Sequence, residues 1–250
     1  MPDPRLVPGP DHSPDHSFAP CIVVPVYRHA AKFAAFSKLL PESLPVIVVD
    51  DGNREEESSI LQSLGYPMVR LPRNQGKGGA TLAGLRKAAD YGYSHALQID
   101  ADGQHDVSDI PKYLSTAADN PRALINGCPL YDANAPKANV YGRKITNFWV
   151  RVETGCRDIR DAMCGFRVYP LGPMVPLLNK GICFKRMGGD IEIIVRAHWQ
   201  GIEIITLDTK VAYPKDGFSN FSMIKDNICF FGLHTMLVCT MLTRKVLGRT

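Results

Sequence analysis

Short apolar runs alternate with helix-spaced segments along the first half of the chain. CIVVPVY (21–27) predicts a strand, and RHAAKFAAFSKLL (28–40) behind it has the spacing of a helix. PVIVVDDGN (45–53) predicts a second, β-branched strand that stops at two aspartates and a glycine. REEESSILQSLG (54–65) then puts acidic residues in the first turn of a helix, where the helix dipole favours them. YPMVRLP (66–72), SHALQID (94–100) and RALING (122–127) predict three more strands. Between them lie a glycine-rich turn leading into a helix, NQGKGGATLAGLRKAADYG (74–92), and a second helix, SDIPKYLSTAAD (108–119). After residue 127 the pattern loosens to a helix around 139–154, a loop RDIRDAMCGFRVY, a helix over 188–200 and a strand in GIEIITLDTKVAY (201–213).

Strands that alternate with helices of about a dozen residues imply an α/β fold, a mostly parallel sheet with helices on both faces. Ligands bind such sheets at the carboxyl ends of the strands. Three polar clusters fall at such ends: Tyr27-Arg28, Asp50-Asp51 and Asp100-Ala101-Asp102. No linker divides the halves. The expected organisation is a tail over 1–20, one domain over 21–221 and a C-terminal helix over 222–250.

Composition narrows the setting. The formal charge of +4 is too small to argue for nucleic acid. Seven cysteines, odd in number and without a CxxC pair, suggest free thiols in a reducing compartment. The first 20 residues carry six prolines and no apolar signal-peptide core, which reads as an unstructured tail.

The chemistry begins with QIDADGQHD (98–106). Asp100 and Asp102, one residue apart at a strand end, can face one point if the chain bends at Gly103. Hard oxygen ligands of this kind suit Mg2+ or Mn2+, which complete their shell with water and substrate phosphates. The competing explanation is a solvated loop that caps a helix, and His105 fits there as a loop histidine. Asp50 and Asp51 are able to accept hydrogen bonds from a nucleobase or a ribose, although DDGN is also turn chemistry. NQGKGG offers backbone N–H groups, a helix N-terminus and Lys77 to a phosphate, without the Walker spacing.

The order PVY, VDDG, NQGKGGA, DADGQH, DAMCGFR and GGDIEIIVRAHWQG resembles the family 2 glycosyltransferases with the GT-A fold, over roughly residues 20–220. DADGQH and CGFRVY are similar to the branch that holds dolichyl-phosphate mannosyltransferase and bacterial polyprenyl-phosphate sugar transferases. The resemblance implies an inverting, metal-dependent transfer from a UDP- or GDP-linked sugar to a hydroxyl or phosphate acceptor, lipid-linked or otherwise hydrophobic. It implies that Pro25, Tyr27, Asp50 and Asp51 surround the nucleoside, with Lys77, Gly78, Asp100, Ala101 and Asp102 beside the rest of the donor. Asp100, Asp102 and Gln104 would hold the metal. Asp161, Cys164, Gly165 and Phe166 would form an acceptor-side loop. Asp190 would serve as base, with Gly189 where many relatives have glutamate; the alternative for Asp190 is an N-cap of the helix that follows. Two positions depart from the branch. GCPLYD has Pro129 where an arginine is usual, and KDGFSNF offers Ser219 and Asn220, with Lys215 upstream, in place of a GxSK-like loop.

ICFFGLHTMLVCTML (228–242) is uncharged apart from His234 and is followed by Arg244, Lys245 and Arg249. At fifteen residues it falls short of the roughly 20 that span a bilayer. It predicts a helix lying on the cytoplasmic face of the inner or plasma membrane, or one packed on the core. Two rivals remain at this level. A nucleotidyltransferase of related strand order would carry a glycine-rich loop after the first strand, where PVYRHA has no glycine. A nucleotide-sugar-binding protein without turnover would have lost the DxD or the base.

Overall fold

The computed structural model describes residues 18–130, 137–211 and 223–248. The proline-rich tail up to residue 17, together with Lys215, Ser219, Asn220 and Arg249, lies outside the described residues. Among the described residues seven strands form one sheet: β1 (Pro20–Val26), β2 (Val46–Asp50), β3 (Met68–Arg70), β4 (His95–Gln98), β5 (Leu124–Leu130), β6 (Arg167–Pro170) and β7 (Ile204–Lys210). Their spatial order is β3-β2-β1-β4-β6-β5-β7. The helices are α1 (Ala30–Phe36), α2 (Glu55–Ser63), α3 (Lys77–Asp90), α4 (Ile110–Asp119), α5 (Lys137–Thr154), α6 (Leu171–Lys180), α7 (Gly189–Trp199) and α8 (Met223–Val246).

The sheet is covered on both faces, which is why β1 and β2 read as nearly unbroken apolar runs instead of alternating ones. Along β1, Cys21 and Val23 join one core layer, with Leu82 and Leu85 of α3 and Ile191, Ile194 and Val195 of α7. Ile22, Val24 and Val26 join the other, with Phe33 of α1 and Tyr113 of α4. Parallel pairing of β1 with β2 sets Val26 opposite Asp50, so the two strands end together at one rim.

One expectation is corrected. RDIRDAMCGFRVY is not all loop: its last residues are β6, antiparallel to both β4 and β5 and inserted between them. It escaped notice because all four of its residues are buried, including a charged one, so it shows neither alternation nor an apolar run. Helix α6 directly behind it was also missed.

Helix α8 occupies the C-terminal stretch and packs on α5. Leu233 and Leu237 are buried, whereas Ile228 and Phe231 are exposed. A buried pair joins the two helices, His234 Nδ1 lying 2.7 Å from Glu153 Oε1. Among the described residues no helix is long and apolar enough to cross a membrane. All seven cysteines are free thiols.

Candidate active site

The rim at the ends of β1 and β2 is tied by Asn53. Its Nδ2 donates to the Val26 carbonyl at 2.9 Å and to Asp50 Oδ1 at 2.8 Å. Its Oδ1 accepts from the Arg28 amide at 2.7 Å, holding Arg28 at φ 58° with its guanidinium 5.0 Å from the Tyr27 ring centroid. Asp50 also accepts from the Asn53 amide at 2.9 Å and from Ser58 Oγ at 2.6 Å, and its side chain is fully buried. Asp50 therefore orders the β2–α2 turn and has no surface to offer a nucleotide, contrary to the sequence expectation. Pro25 and Tyr27 are half-buried at the same rim.

Asp51 clamps the approach to α3. Its Oδ1 accepts from the Gln75 amide at 2.7 Å, and its Oδ2 accepts from the Gly76 amide at 2.9 Å and Asn74 Nδ2 at 2.8 Å. Burial pushes its carboxyl upward, against the pull of the two amides. The next donors are engaged as well: the amides of Gly78 and Gly79 reach the carbonyls of Arg186 and Lys185. The expected backbone cradle for phosphate is thus directed at the protein itself. Gly78 is buried against Gly189, and a Cβ on it would come 2.5 Å from the Gly189 Cα. Gly78 sets how closely α3 and α7 approach, which excludes ligand contact.

That approach brings three charged groups together. Lys77 Nζ stands 2.8 Å from Asp100 Oδ1, 2.9 Å from Asp100 Oδ2 and 3.0 Å from Asp190 Oδ2. Asp190 is the second residue of α7, behind a Gly188 cap, so it is no N-cap. Its Oδ1 lies 3.5 Å from Gln98 Nε2. Burial opposes the charge on Lys77, but Asp100 and Asp190 outweigh it and hold the ammonium well above its usual range. Gly165 closes over this pair: a Cβ there would lie 2.4 Å from Lys77 Nζ and from Asp100 Oδ1.

The DADGQH loop bends at Gly103, φ 71°. Asp102 Oδ1 accepts from the Gln104 amide at 3.0 Å, and Ala101 is buried. His105, expected to be a loop histidine, is buried. Its ring stacks on Phe166 at 5.3 Å and its Nε2 is 3.8 Å from Asp100 Oδ2. The two carboxyls are driven apart. Burial disfavours the Asp100 carboxylate, but Lys77 and His105 more than compensate and hold it well below the usual range. Burial and then the Asp100 charge raise Asp102. Among the described residues no group of three His, Cys, Asp or Glu side chains is arranged for a metal, so further ligands would come from outside the acidic pair.

Beneath the site is a buried polar frame that sequence reasoning missed. Arg167 of β6 is wholly buried and donates to Asn126 Oδ1, the Asp190 carbonyl and the Ala162 carbonyl at 2.7, 2.7 and 2.6 Å. Tyr169 Oη donates to Gln98 Oε1 at 2.9 Å. The expected acceptor-side loop divides. Cys164 and Phe166 are buried in the core, which removes them from ligand contact. Asp161 pairs with Arg143 of α5, at 2.8 and 2.9 Å, and Gly165 stands over Asp100. The arginine in CGFRVY was the one available signal for this frame.

Residues 21–169 match the family model described as glycosyl transferase family 2. The chain is 24% identical over 190 residues to the UDP-N-acetylglucosamine–dolichyl-phosphate N-acetylglucosaminyltransferase of Methanococcus voltae, covering 68% of this chain and 75% of that protein. It is 23% identical to a dolichyl-phosphate beta-glucosyltransferase of Dictyostelium discoideum, covering 73% and 63%. Among solved structures it resembles glucosyl-3-phosphoglycerate synthase of Mycobacterium tuberculosis, in complex with Mn2+, UDP and glucosyl-3-phosphoglycerate. That match has TM-score 0.61 and 15% identity, covers 93% of this chain and 85% of the other, and bears on the fold. With its motifs in order at one rim of the sheet and the family model spanning more than half its length, the chain belongs to glycosyl transferase family 2.

Proposed function

We propose that this glycosyltransferase carries out inverting, metal-dependent transfer of a sugar from a UDP- or GDP-linked donor to the phosphate of a polyprenyl lipid. The observation that carries the reading is the convergence of Asp100, Asp190 and Lys77 on one point at the carboxyl ends of the strands. The relatives named for dolichyl-phosphate support the acceptor class.

The donor set fits a divalent cation. Asp100 and Asp102 supply hard oxygens, burial and then the Asp100 charge raise Asp102, and an ammonium already sits on Asp100. Bound Mg2+ or Mn2+ would neutralise the diphosphate as charge grows on the leaving oxygen. The remaining work falls to the chain. The acceptor oxygen attacks the anomeric carbon from the face opposite the diphosphate, through an oxocarbenium-like state. Asp190, held by Lys77 and Gln98, orients the sugar and its attacker, and it takes the proton where the acceptor is a hydroxyl. Tyr27 and Pro25 line the nucleoside end, with Asp51 ordering the adjoining turn.

Two exposed stripes support a membrane-bound acceptor. On α5, Tyr141, Ile145, Phe148 and Val152 are exposed at helical spacing, and on α8 so are Ile228, Phe231, Leu242 and Val246. Lys144, Arg151, Arg157 and Lys245 stand exposed nearby in the chain. Such faces fit peripheral docking on an anionic leaflet. The test is a donor screen with Mn2+ that compares polyprenyl phosphate with 3-phosphoglycerate and identifies the leaving group. Nucleoside diphosphate release with a glycosylated lipid is expected. Pyrophosphate release would point to nucleotidyl transfer and sink the reading.

A further inference from the structure

Lys77 occupies the place at which this site calls for positive charge. Its Nζ touches both oxygens of Asp100, at 2.8 and 2.9 Å, and one oxygen of Asp190 at 3.0 Å. Gly165 covers the pair so closely that not even a methyl group fits between them. On the same carboxylate, Asp100 Oδ2 has His105 Nε2 at 3.8 Å. An ammonium and a divalent ion cannot both sit on Asp100, because at such separations their repulsion is large even in a polar medium. Lys77 is attached at the first residue of α3, and α3 is fixed against α7, so the ammonium leaves only by swinging its own stem. It will do so readily when another anion receives it.

We propose that Lys77 is a resident counter-cation of the metal site, displaced from Asp100 by a divalent ion when a diphosphate arrives to take over the ammonium. This rests on the metal-dependent reading above. It makes metal and nucleotide binding mutually dependent: each raises the affinity of the other by the same factor. Metal alone meets an occupied carboxylate and binds weakly. With the diphosphate present, Lys77 exchanges one anion for another, and Asp100 is freed to join Asp102 in holding the ion.

The test measures Mn2+ binding by electron paramagnetic resonance and calorimetry, with and without UDP, on the wild type, Lys77→Met and Lys77→Arg. Lys77→Met is expected to bind Mn2+ alone at least about tenfold more tightly than the wild type, from loss of the nearby like charge. UDP should then improve its Mn2+ affinity far less than it does in the wild type. Lys77→Arg keeps a cation and should bind Mn2+ alone as weakly as the wild type. If Lys77→Met unfolds without metal but melts cooperatively once Mn2+ is added, the ion has taken the ammonium's place and the proposal stands. If it stays unfolded at every Mn2+ concentration, or binds Mn2+ alone no more tightly, the proposal is overturned. Failure of the wild type to bind Mn2+ even with UDP would instead overturn the metal reading itself.

Discussion

Gly165→Ala adds one methyl group at the point where the site is most crowded. The new Cβ would stand 2.4 Å from Lys77 Nζ and 2.4 and 2.5 Å from the two oxygens of Asp100. Non-bonded carbon contacts settle at about 3.5 Å or more, so these atoms must retreat by about 1 Å. The lysine tip swings aside and the Asp100 carboxylate, on the loop just beyond β4, turns away, so the ion pair opens and Asp100 is displaced. Stretching its 2.8 Å contact by that amount removes roughly 1.5 kcal/mol of Coulomb attraction at an effective dielectric of about 20. In a domain of this size that corresponds to a fall in Tm of about 3–6 °C. The loss of activity should be larger than the loss of stability, since a misplacement of about 1 Å near the reacting atoms costs on the order of 100-fold. Thermal melting and steady-state sugar transfer, side by side, check both numbers. Gly172→Ala is the control: a Cβ there meets nothing within 4 Å, and its Tm should hold or rise. A Gly165→Ala enzyme with wild-type Tm and wild-type turnover would refute the packing of Gly165 on the Lys77–Asp100 pair.

Other perturbations probe separate parts of the argument. Asp190→Asn should lower kcat by about 100-fold while the calorimetric Kd for UDP shifts less than about threefold; an unchanged kcat would remove Asp190 from the transfer step. Arg167→Met strands the Asn126, Ala162 and Asp190 acceptors and should cost about 3–5 kcal/mol in urea unfolding, with a loss under about 1 kcal/mol counting against the buried frame. Burial lowers the His95 pKa below its ordinary value, so between that lowered pKa and about 6.5 the unfolded chain binds the extra proton. Stability should therefore drop as pH falls below about 6.5, and His95→Gln should flatten that slope in pH-dependent melts; an equal slope in both proteins would contradict it. Sedimentation with anionic vesicles should weaken as salt rises and weaken further in Ile145→Ser/Phe231→Ser, with circular dichroism unchanged because both side chains are exposed. Absence of wild-type sedimentation at low salt would defeat the docking reading.

The alternation of buried strands and helices was legible in the sequence because hydrophobic period is a local property. β1, β2 and β4 and the helices α1 to α4 lie where that period predicts them, and the two aspartates of DADGQH fall at a strand end as expected. The family was legible for the same reason: its motifs are short, ordered and contiguous. What the carboxylates bind was not legible. Asp50 and Asp51 look alike at the end of β2, yet one is filled by Asn53 and Ser58 and the other by the amides that open α3. Asn53 and Ser58 belong to the turn and helix that directly follow Asp50, whereas Gln75 and Gly76 arrive from beyond β3, so the packing of α3 on β1 and β2 decides what Asp51 meets. Lys77 and Asp190 meet because two glycines, Gly78 and Gly189, let α3 and α7 touch. Strand β6 was hidden for a related reason. A buried arginine argues against a core strand in any local reading, and it becomes tolerable only once Asn126, Ala162 and Asp190, from three different segments, supply the acceptors that replace water.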